Sequence, residues 1–297
     1  MTASSLRSPQ APKNQAKPIE QLIPILDETA SFLAALKGRT PVVFLDFDGT
    51  LAPIAERPEA VVFSAARREA VRKLAGKLPV AIVSGRDRAD VEKQVGLPGL
   101  TYAGGHGFDI RLAPSGSASE VAPDDADPLA AELDGGLAGL VERLDAMEAA
   151  LHAGLDGIAG ALIERKRFSV AAHDRMVAPA DRPAFAAALE AARRDLRGLR
   201  EKAGKRLVEF LPDIDWDKGK AVLHLRRALG VDGEGYVAVF FGDDLTDEDA
   251  FRVLPEIDGI GVLVAGADED GRGRTSHAFF RVADPDGVCR LLNDMVA

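Results

Sequence analysis

The sequence predicts an α/β protein with a doubly wound, Rossmann-like parallel sheet as its core and a separate α+β unit inserted into it. Three observations carry that expectation. Runs of branched and aromatic apolar residues at 42–45, 79–83, 100–103 and 236–241 are strand-length and stop at turn residues. Segments with helical spacing of apolar residues separate these runs, which is the rhythm of a parallel sheet. Between residues 111 and 212 the strand-like runs instead alternate polar with apolar residues, as in an antiparallel sheet with one covered face.

The elements follow in chain order. Residues 1–20 are rich in Ser, Pro, Ala, Gln and Lys, carry no acid before Glu20 and lack the apolar core of a secretory signal, so a disordered tail is expected. Apolar residues at mostly helical spacing predict a helix over 23–36. The run Val42, Val43, Phe44, Leu45 reads as a strand buried on both faces. Asp46 and Asp48 follow it two positions apart, on one side of the chain if the backbone stays extended. Gly49 permits a sharp exit, and the Thr50 hydroxyl can fix the loop. Residues 52–62, with Pro53 and Pro58, read as a loop or small flap. Ser64 is the expected N-cap of a helix reaching Leu78, with Ala65, Val71, Leu74 and Leu78 available for its buried face. The strand at 79–83 runs into Ser84-Gly85-Arg86, a helix is expected over 87–95, and the strand at 100–103 ends in Gly104-Gly105-His106-Gly107. Asp46, Ser84 and His106 therefore fall at the carboxyl ends of successive strands, where open α/β sheets bind ligands.

The inserted unit begins near Arg111. Residues 114–127 read as a loop, 128–151 as a long Ala/Leu-rich helix, 161–166 and 168–173 as strands, 180–196 as a helix, and 200–202 with 206–211 as a hairpin. These divide the chain into a core of 21–110 with 213–297, and an insert of 111–212. The core resumes with Asp217-Lys218-Gly219-Lys220 leading a helix to Leu229. The strand at 236–241 ends in Gly242-Asp243-Asp244-Leu245-Thr246-Asp247-Glu248-Asp249. A helix over 249–254, strands at 259–264 and 278–282, and a helix over 286–295 complete the reading.

Bulk properties narrow the function. A chain of 297 residues accommodates two domains, and 46% hydrophobic with 28% charged residues is the composition of an ordinary soluble protein. No apolar run is long enough to span a membrane. The one cysteine, Cys289, excludes an internal disulfide framework and suits a cytoplasmic location. A formal charge of -10 argues against a nucleic-acid partner and means that an anionic substrate needs a metal or clustered cations. A monomer acting on a small molecule is expected.

Asp46 and Asp48 repel each other unless a proton or a cation intervenes. Taken singly, the other polar groups have ordinary readings: Ser84 as a turn residue, Lys218 as a surface lysine, and the acidic run as a favourable helix start. As an ordered set at strand and helix ends they resemble the four motifs of the haloacid dehalogenase (HAD) superfamily of phosphatases, over residues 41–297. That resemblance implies that Asp46 is a nucleophile forming an aspartyl-phosphate, and that Asp48 is the general acid and then the general base. It implies Mg²⁺ held by the Asp46 side chain, the Asp48 backbone carbonyl and Asp243, within an acidic set completed by Asp244 and Asp247. Asp247 would orient the metal waters or Lys218. Ser84, Gly85 and Lys218 would bind the phosphoryl oxygens.

Within that superfamily, Gly242-Asp-Asp-Leu-Thr-Asp-Glu-Asp-Ala-Phe251, Ser84-Gly-Arg86 and the Gly-x-His-Gly of 104–107 resemble the trehalose-6-phosphate phosphatases. Glu164-Arg-Lys166, His173-Asp-Arg175 and Glu209 are similar to that family's signature in the insert. The resemblance implies that Arg86, His106, Glu164, Lys166, His173, Arg175 and Glu209 contact the sugar, and that the insert acts as a cap. Two positions depart from the pattern, Arg165 for an expected Asp and Asp174 for an expected Tyr, and strand alternation turns both away from the neighbouring signature residues. The function implied is Mg²⁺-dependent hydrolysis of trehalose 6-phosphate. The alternatives are a broader sugar-phosphate phosphatase of the same fold and a catalytically silent sugar-phosphate sensor.

Overall fold

A computed structural model describes residues 15–36, 38–55, 61–113, 136–194, 196–204, 206–266 and 273–297. They form two compact units. The first takes described residues 15–107, 112–113 and 217–297, and the second takes 108–111 and 136–216.

The first unit opens with β1 (Lys17–Pro18), β2 (Ile23–Pro24), α1 (Thr29–Leu36), β3 (Thr40–Leu45), α2 (Ala65–Ala75), β4 (Val80–Val83), α3 (Arg88–Val95) and β5 (Thr101–Gly104). The second contributes β6 (Asp109–Arg111), α4 (Gly136–Leu155), β7 (Leu162–Arg165), β8 (Val170–His173), α5 (Arg182–Arg193), β9 (Leu199–Gly204) and β10 (Leu207–Pro212). The first unit then resumes with α6 (Lys218–Ala228), β11 (Tyr236–Gly242), α7 (Asp247–Val253), β12 (Ile260–Val264), β13 (Thr275–Ser276), β14 (Phe280–Val282) and α8 (Pro285–Asp294).

The sheet of the first unit runs β2-β14-β12-β11-β3-β4-β5, and these pairings are all parallel. Val42, Val43, Phe44 and Leu45 of β3 are fully buried. Each such side chain contributes roughly 1.5–3 kcal/mol, so the strand can carry a costly buried carboxylate at its end. β3 lies between β4, the next strand in sequence, and β11, which arrives after the second unit. Strand order therefore reverses at β3, and the crevice at such a reversal is the usual ligand site. Register aligns the three ends: Leu45 is level with Ile82 on one side and Phe241 on the other. Asp46, Val83-Ser84 and Gly242-Asp243 thus leave the sheet together.

Caps follow the sequence. Ser64 Oγ accepts from the Arg67 N–H at 3.3 Å to start α2, which buries Ala70, Val71 and Leu74. Asp217 caps α6 by accepting from the Lys220 N–H at 2.9 Å, and Asp284 caps α8 in the same way through Gly287 at 2.7 Å.

Two expectations are corrected. The predicted helix over 23–36 forms only as α1 from Thr29, because Ile23–Pro24 joins the sheet edge beside β14. Pro24 offers no N–H to a helix, and an edge position asks none of it. The expected tail is ordered in its last part: β1 pairs with β13, and Ile19 is fully buried. Residues 1–14 of that tail, and 128–135 of the expected long helix, lie outside the described residues.

The second unit holds an antiparallel sheet of order β7-β8-β10-β9. α4 packs on β7, β8 and β10, and α5 packs on α4. Val170, Ala172 and Phe210, on one strand phase, are fully buried. Register places Glu164 and Glu209 opposite Ala171, and Lys202 opposite Glu209, so these share the other face with His173. Among the described residues no helix is long and apolar enough to cross a membrane.

Candidate active site

Asp46, the first residue past β3, is 4% exposed. Its Oδ1 accepts from Lys218 Nζ at 2.8 Å, and the same ammonium donates to Asp247 Oδ1 at 2.6 Å. Lys218 opens α6 and is itself 2% exposed, so this cation is fixed between two buried acids. Asp247 in turn gathers the loop after β11: its Oδ2 accepts from the backbone N–H of Asp243 at 2.9 Å and of Asp244 at 3.0 Å. The Thr50 hydroxyl donates to Asp243 Oδ1 at 3.2 Å.

Two glycines make this convergence possible. At Gly49, which has φ +80°, a Cβ would stand 2.0 Å from Asp243 Oδ2. At Gly242 a Cβ would stand 2.3 Å from Asp247 Cγ. Any larger residue at either position displaces an acid.

The electrostatics are those of a cluster short of positive charge. Burial pushes Asp46 well above the carboxylate range against the pull of Lys218, and Asp247, Asp243 and Asp244 add to the rise. Burial, then Asp247 and Asp244, push Asp243 up to about 7. Burial pushes Asp247 up to about 6, Lys218 opposing it. Burial works against ionisation of Asp244 too, but Lys218 and the hydrogen bonds from Thr246 hold it below its usual range. For Lys218, burial favours the neutral amine, yet Asp247 and Asp46 hold it charged well above its ordinary range. Carboxylate oxygens of Asp46, Asp243 and Asp247 lie within 4.8 Å of one another. Hard oxygen donors that raise one another's proton affinity fit a divalent cation.

The remaining expected residues of this unit sit around that cluster. Asp48 does not turn its carboxylate into it; both its oxygens accept from Arg86, Nε to Oδ2 at 2.6 Å and Nη2 to Oδ1 at 2.7 Å. Arg86 also pairs with Asp90 at 2.7 Å and lies 5.5 Å from the Phe47 ring centroid. Asp244 spends Oδ1 on the Thr246 N–H and hydroxyl, both at 2.7 Å. Ser84, 1% exposed, accepts the Arg86 N–H at 3.2 Å. His106 has φ +60°, and its N–H donates to the Ser84 carbonyl at 2.9 Å. A Cβ on Gly85 would lie 2.7 Å from His106 Cε1, so the ring sits directly over the Ser84-Gly85 turn.

In the second unit, Glu209 Oε1 accepts from Lys166 Nζ at 3.1 Å and from Ser169 Oγ at 2.6 Å. His173 Nε2 lies 2.9 Å from Glu164 Oε2, and this bond lowers the Glu164 pKa. Arg175 lies exposed in the turn beyond β8. Arg165 points to the helix side, 3.1 Å from Asp145 and 3.4 Å from Glu148 of α4. Asp174 pairs with Arg206 at 3.2 Å.

The trehalose-phosphatase family model matches residues 44–286. The chain belongs to the trehalose-phosphatase family. Relatives in that family include trehalose-phosphate phosphatases of Mycobacterium tuberculosis (39% identical, 86% of this chain and 61% of theirs) and Mycobacterium avium (40%, 84% and 60%). A Mycobacterium tuberculosis protein described as an uncharacterized glycosyl hydrolase is 42% identical over 88% of this chain, which spans 18% of its length. The chain thus spans less than two thirds of the curated relatives it matches. Among solved structures, an Aspergillus fumigatus trehalose-6-phosphate phosphatase superposes with a TM-score of 0.59 at 26% identity, over 92% of this chain and 98% of that one. The C-terminal domain of the Candida albicans enzyme, at 22% identity and a TM-score of 0.66 over 93% and 98%, shares the fold.

Two contacts, one in each unit, are not foreshadowed by the sequence. Ser169 stands in phase with Ala171 and His173 on β8, so alternation alone would have placed it on the polar face. Arg274, which donates to the Asp243 carbonyl at 2.5 Å, sits in a Gly/Arg/Asp stretch whose sequence carries no periodic signal.

Proposed function

We propose that the chain is a Mg²⁺-dependent phosphatase that hydrolyses trehalose 6-phosphate through an aspartyl-phosphate. The observation that supports this most is the buried Lys218 bridging Asp46 and Asp247 beside Asp243. A nucleophilic carboxylate, a fixed cation and an oxygen-donor set are what phosphoryl transfer requires. Asp46, Asp243 and Asp247 would hold Mg²⁺, with the Asp48 carbonyl and Asp244 in the same loops. The ion would supply charge to offset the repulsion between a carboxylate and a phosphate dianion.

An Asp46 oxygen attacks phosphorus while the bond to the sugar oxygen breaks, and Asp48 delivers the proton that oxygen needs. Water then attacks the acyl phosphate, Asp48 takes its proton, and the Asp46 carboxylate is restored. Lys218, Ser84 and the Gly85 backbone hold the phosphoryl oxygens. Glu164, Lys166, His173, Arg175 and Glu209 select the sugar, with Arg86 and His106. The helix-side course of Arg165 supports this, since its substitution leaves the Glu164 face unaltered.

The test is phosphate release from trehalose, sucrose, glucose and mannose 6-phosphates, with Mg²⁺ and with EDTA. Rapid release from the trehalose ester, abolished by EDTA and by Asp46→Asn, is expected. Equal rates on the monosaccharide esters would remove the sugar assignment and leave a broader phosphatase. Tight binding of the trehalose ester without turnover would instead identify a sensor.

A further inference from the structure

Residues 274–277 strap the acidic loop of residues 243–248 at two points. At one end Arg274 Nη2 donates to the Asp243 carbonyl at 2.5 Å. At the other, the His277 N–H donates to Glu248 Oε2 at 2.9 Å, and the His277 ring Nδ1 lies 3.3 Å from the same oxygen. Glu248 is buried, so that attachment is shielded from water.

The strap is held in its turn by the N-terminal arm. Lys17 pairs with Ser276 and Pro18 with Thr275, and the Ile19 N–H donates to the Arg274 carbonyl at 3.1 Å. Ile19 and Ser276 are buried, which anchors both sides of this two-stranded clasp. A two-residue pairing is weak by itself; here the buried Ile19 side chain holds it.

The acidic loop needs bracing. It carries Asp243, Asp244 and Asp247 in mutual repulsion. Asp243 is fixed at its carboxylate by Thr50 and at its N–H by Asp247. Its carbonyl is the third point, and Arg274 takes it. The bond from Arg274 to Asp243 is made at the peptide oxygen and not at the carboxylate.

We propose that Arg274, clasped by the arm Lys17, Pro18 and Ile19, is a positioning residue that sets the affinity of the Asp243 loop for a divalent cation. The inference rests on the reading of Asp46, Asp243 and Asp247 as the cation site. Groups that orient a metal ligand without touching the metal typically change its affinity 10–100-fold.

Calorimetric titration with Mg²⁺ tests it directly, on the full chain, on Arg274→Ala, on a chain lacking residues 1–18, and on the combination. The dissociation constant for Mg²⁺ rises roughly tenfold in Arg274→Ala and rises in the shortened chain. The combination binds no more weakly than Arg274→Ala alone, because both changes cut one connection. Turnover returns at saturating Mg²⁺. Should Arg274→Ala fail to fold, Arg274→Gln and the shortened chain decide. Unchanged or tighter Mg²⁺ binding in the folded variants overturns the inference and leaves the phosphatase reading intact. No Mg²⁺ binding by the unaltered chain overturns the cation-site reading on which it stands.

Discussion

Arg86 grips Asp48 as a fork, one nitrogen on each carboxylate oxygen, at 2.6 and 2.7 Å. A bidentate pair of this kind fixes the plane of the carboxylate as well as its position. Asp90 and the Phe47 face hold the guanidinium from behind. In the proposed mechanism, Arg86 would therefore aim the acid that serves the leaving oxygen. Arg86→Ala lowers kcat on trehalose 6-phosphate by up to about 10²-fold. The loss is smaller on p-nitrophenyl phosphate, whose leaving group needs little proton assistance. Equal losses on the two esters would mean that Arg86 acts neither through Asp48 nor on the sugar.

Lys218 lies between two buried carboxylates, donating to both Asp46 and Asp247. Lys218→Met leaves two buried acids facing each other, and removing one partner of a buried pair costs about 3–5 kcal/mol. Urea unfolding in EDTA measures this loss. Adding Asp247→Asn recovers part of it; no recovery would show that the two residues are not energetically coupled.

The raised acids give the ion-free chain an unusual dependence on pH. Asp243, pushed up to about 7, and Asp247, pushed up to about 6, bind protons more tightly folded than unfolded, and Asp46 shifts the same way. Unfolded carboxylates titrate near ~4, so between there and neutrality the folded state carries more protons. Stability in EDTA therefore falls as pH rises through that window. Asp244, shifted down, acts only below it, and Lys218, shifted up, acts only far above it. An Mg²⁺ ion held as proposed would replace those protons, so its increment in Tm is larger at pH 7.5 than at pH 5. An increment as large at the lower pH would contradict this.

The polar face of the second unit yields a selectivity prediction. Lys166→Ala and Glu209→Ala, which break the 3.1 Å pair between them, reduce the preference for trehalose 6-phosphate over glucose 6-phosphate by roughly tenfold or more. Ser169→Ala frees Glu209 from its 2.6 Å bond and shifts the preference in the same direction by less. Ratios of kcat/KM on the two esters read this, and an unaltered ratio removes these residues from sugar selection.

How much of this was legible in the chain follows from the kind of signal each part carries. Buried strands announce themselves, because Val42 to Leu45 and Val237 to Phe241 are apolar on both faces. The acids were legible because Asp46, Asp48 and Asp243 stand directly after such strands. Pairings were not. Nothing in the spacing of Asp48 and Arg86 says that one grips the other, and nothing near Arg274 points to Asp243, since both contacts are made by tertiary approach. The helix expected over 23–36 failed for a related reason: Leu22, Ile25 and Phe32 are buried, and burial by an irregular segment and an edge strand imitates helical spacing. Arg165 shows the opposite case, where simple alternation along β7 gave the correct face.

Asp46 and Lys218 lie 172 residues apart in sequence, and β3 cannot bond its second edge until β11 exists. During translation, at about 5–20 residues per second, the strand that ends at Asp46 waits about 10–40 s for that neighbour. A half-made chain therefore leaves the ribosome with an apolar strand edge open and no chemistry behind it. Synthesis of the second unit is the interval in which a chaperone has most to protect, and the cluster of Asp46, Lys218 and Asp247 closes only when α6 and α7 have been delivered.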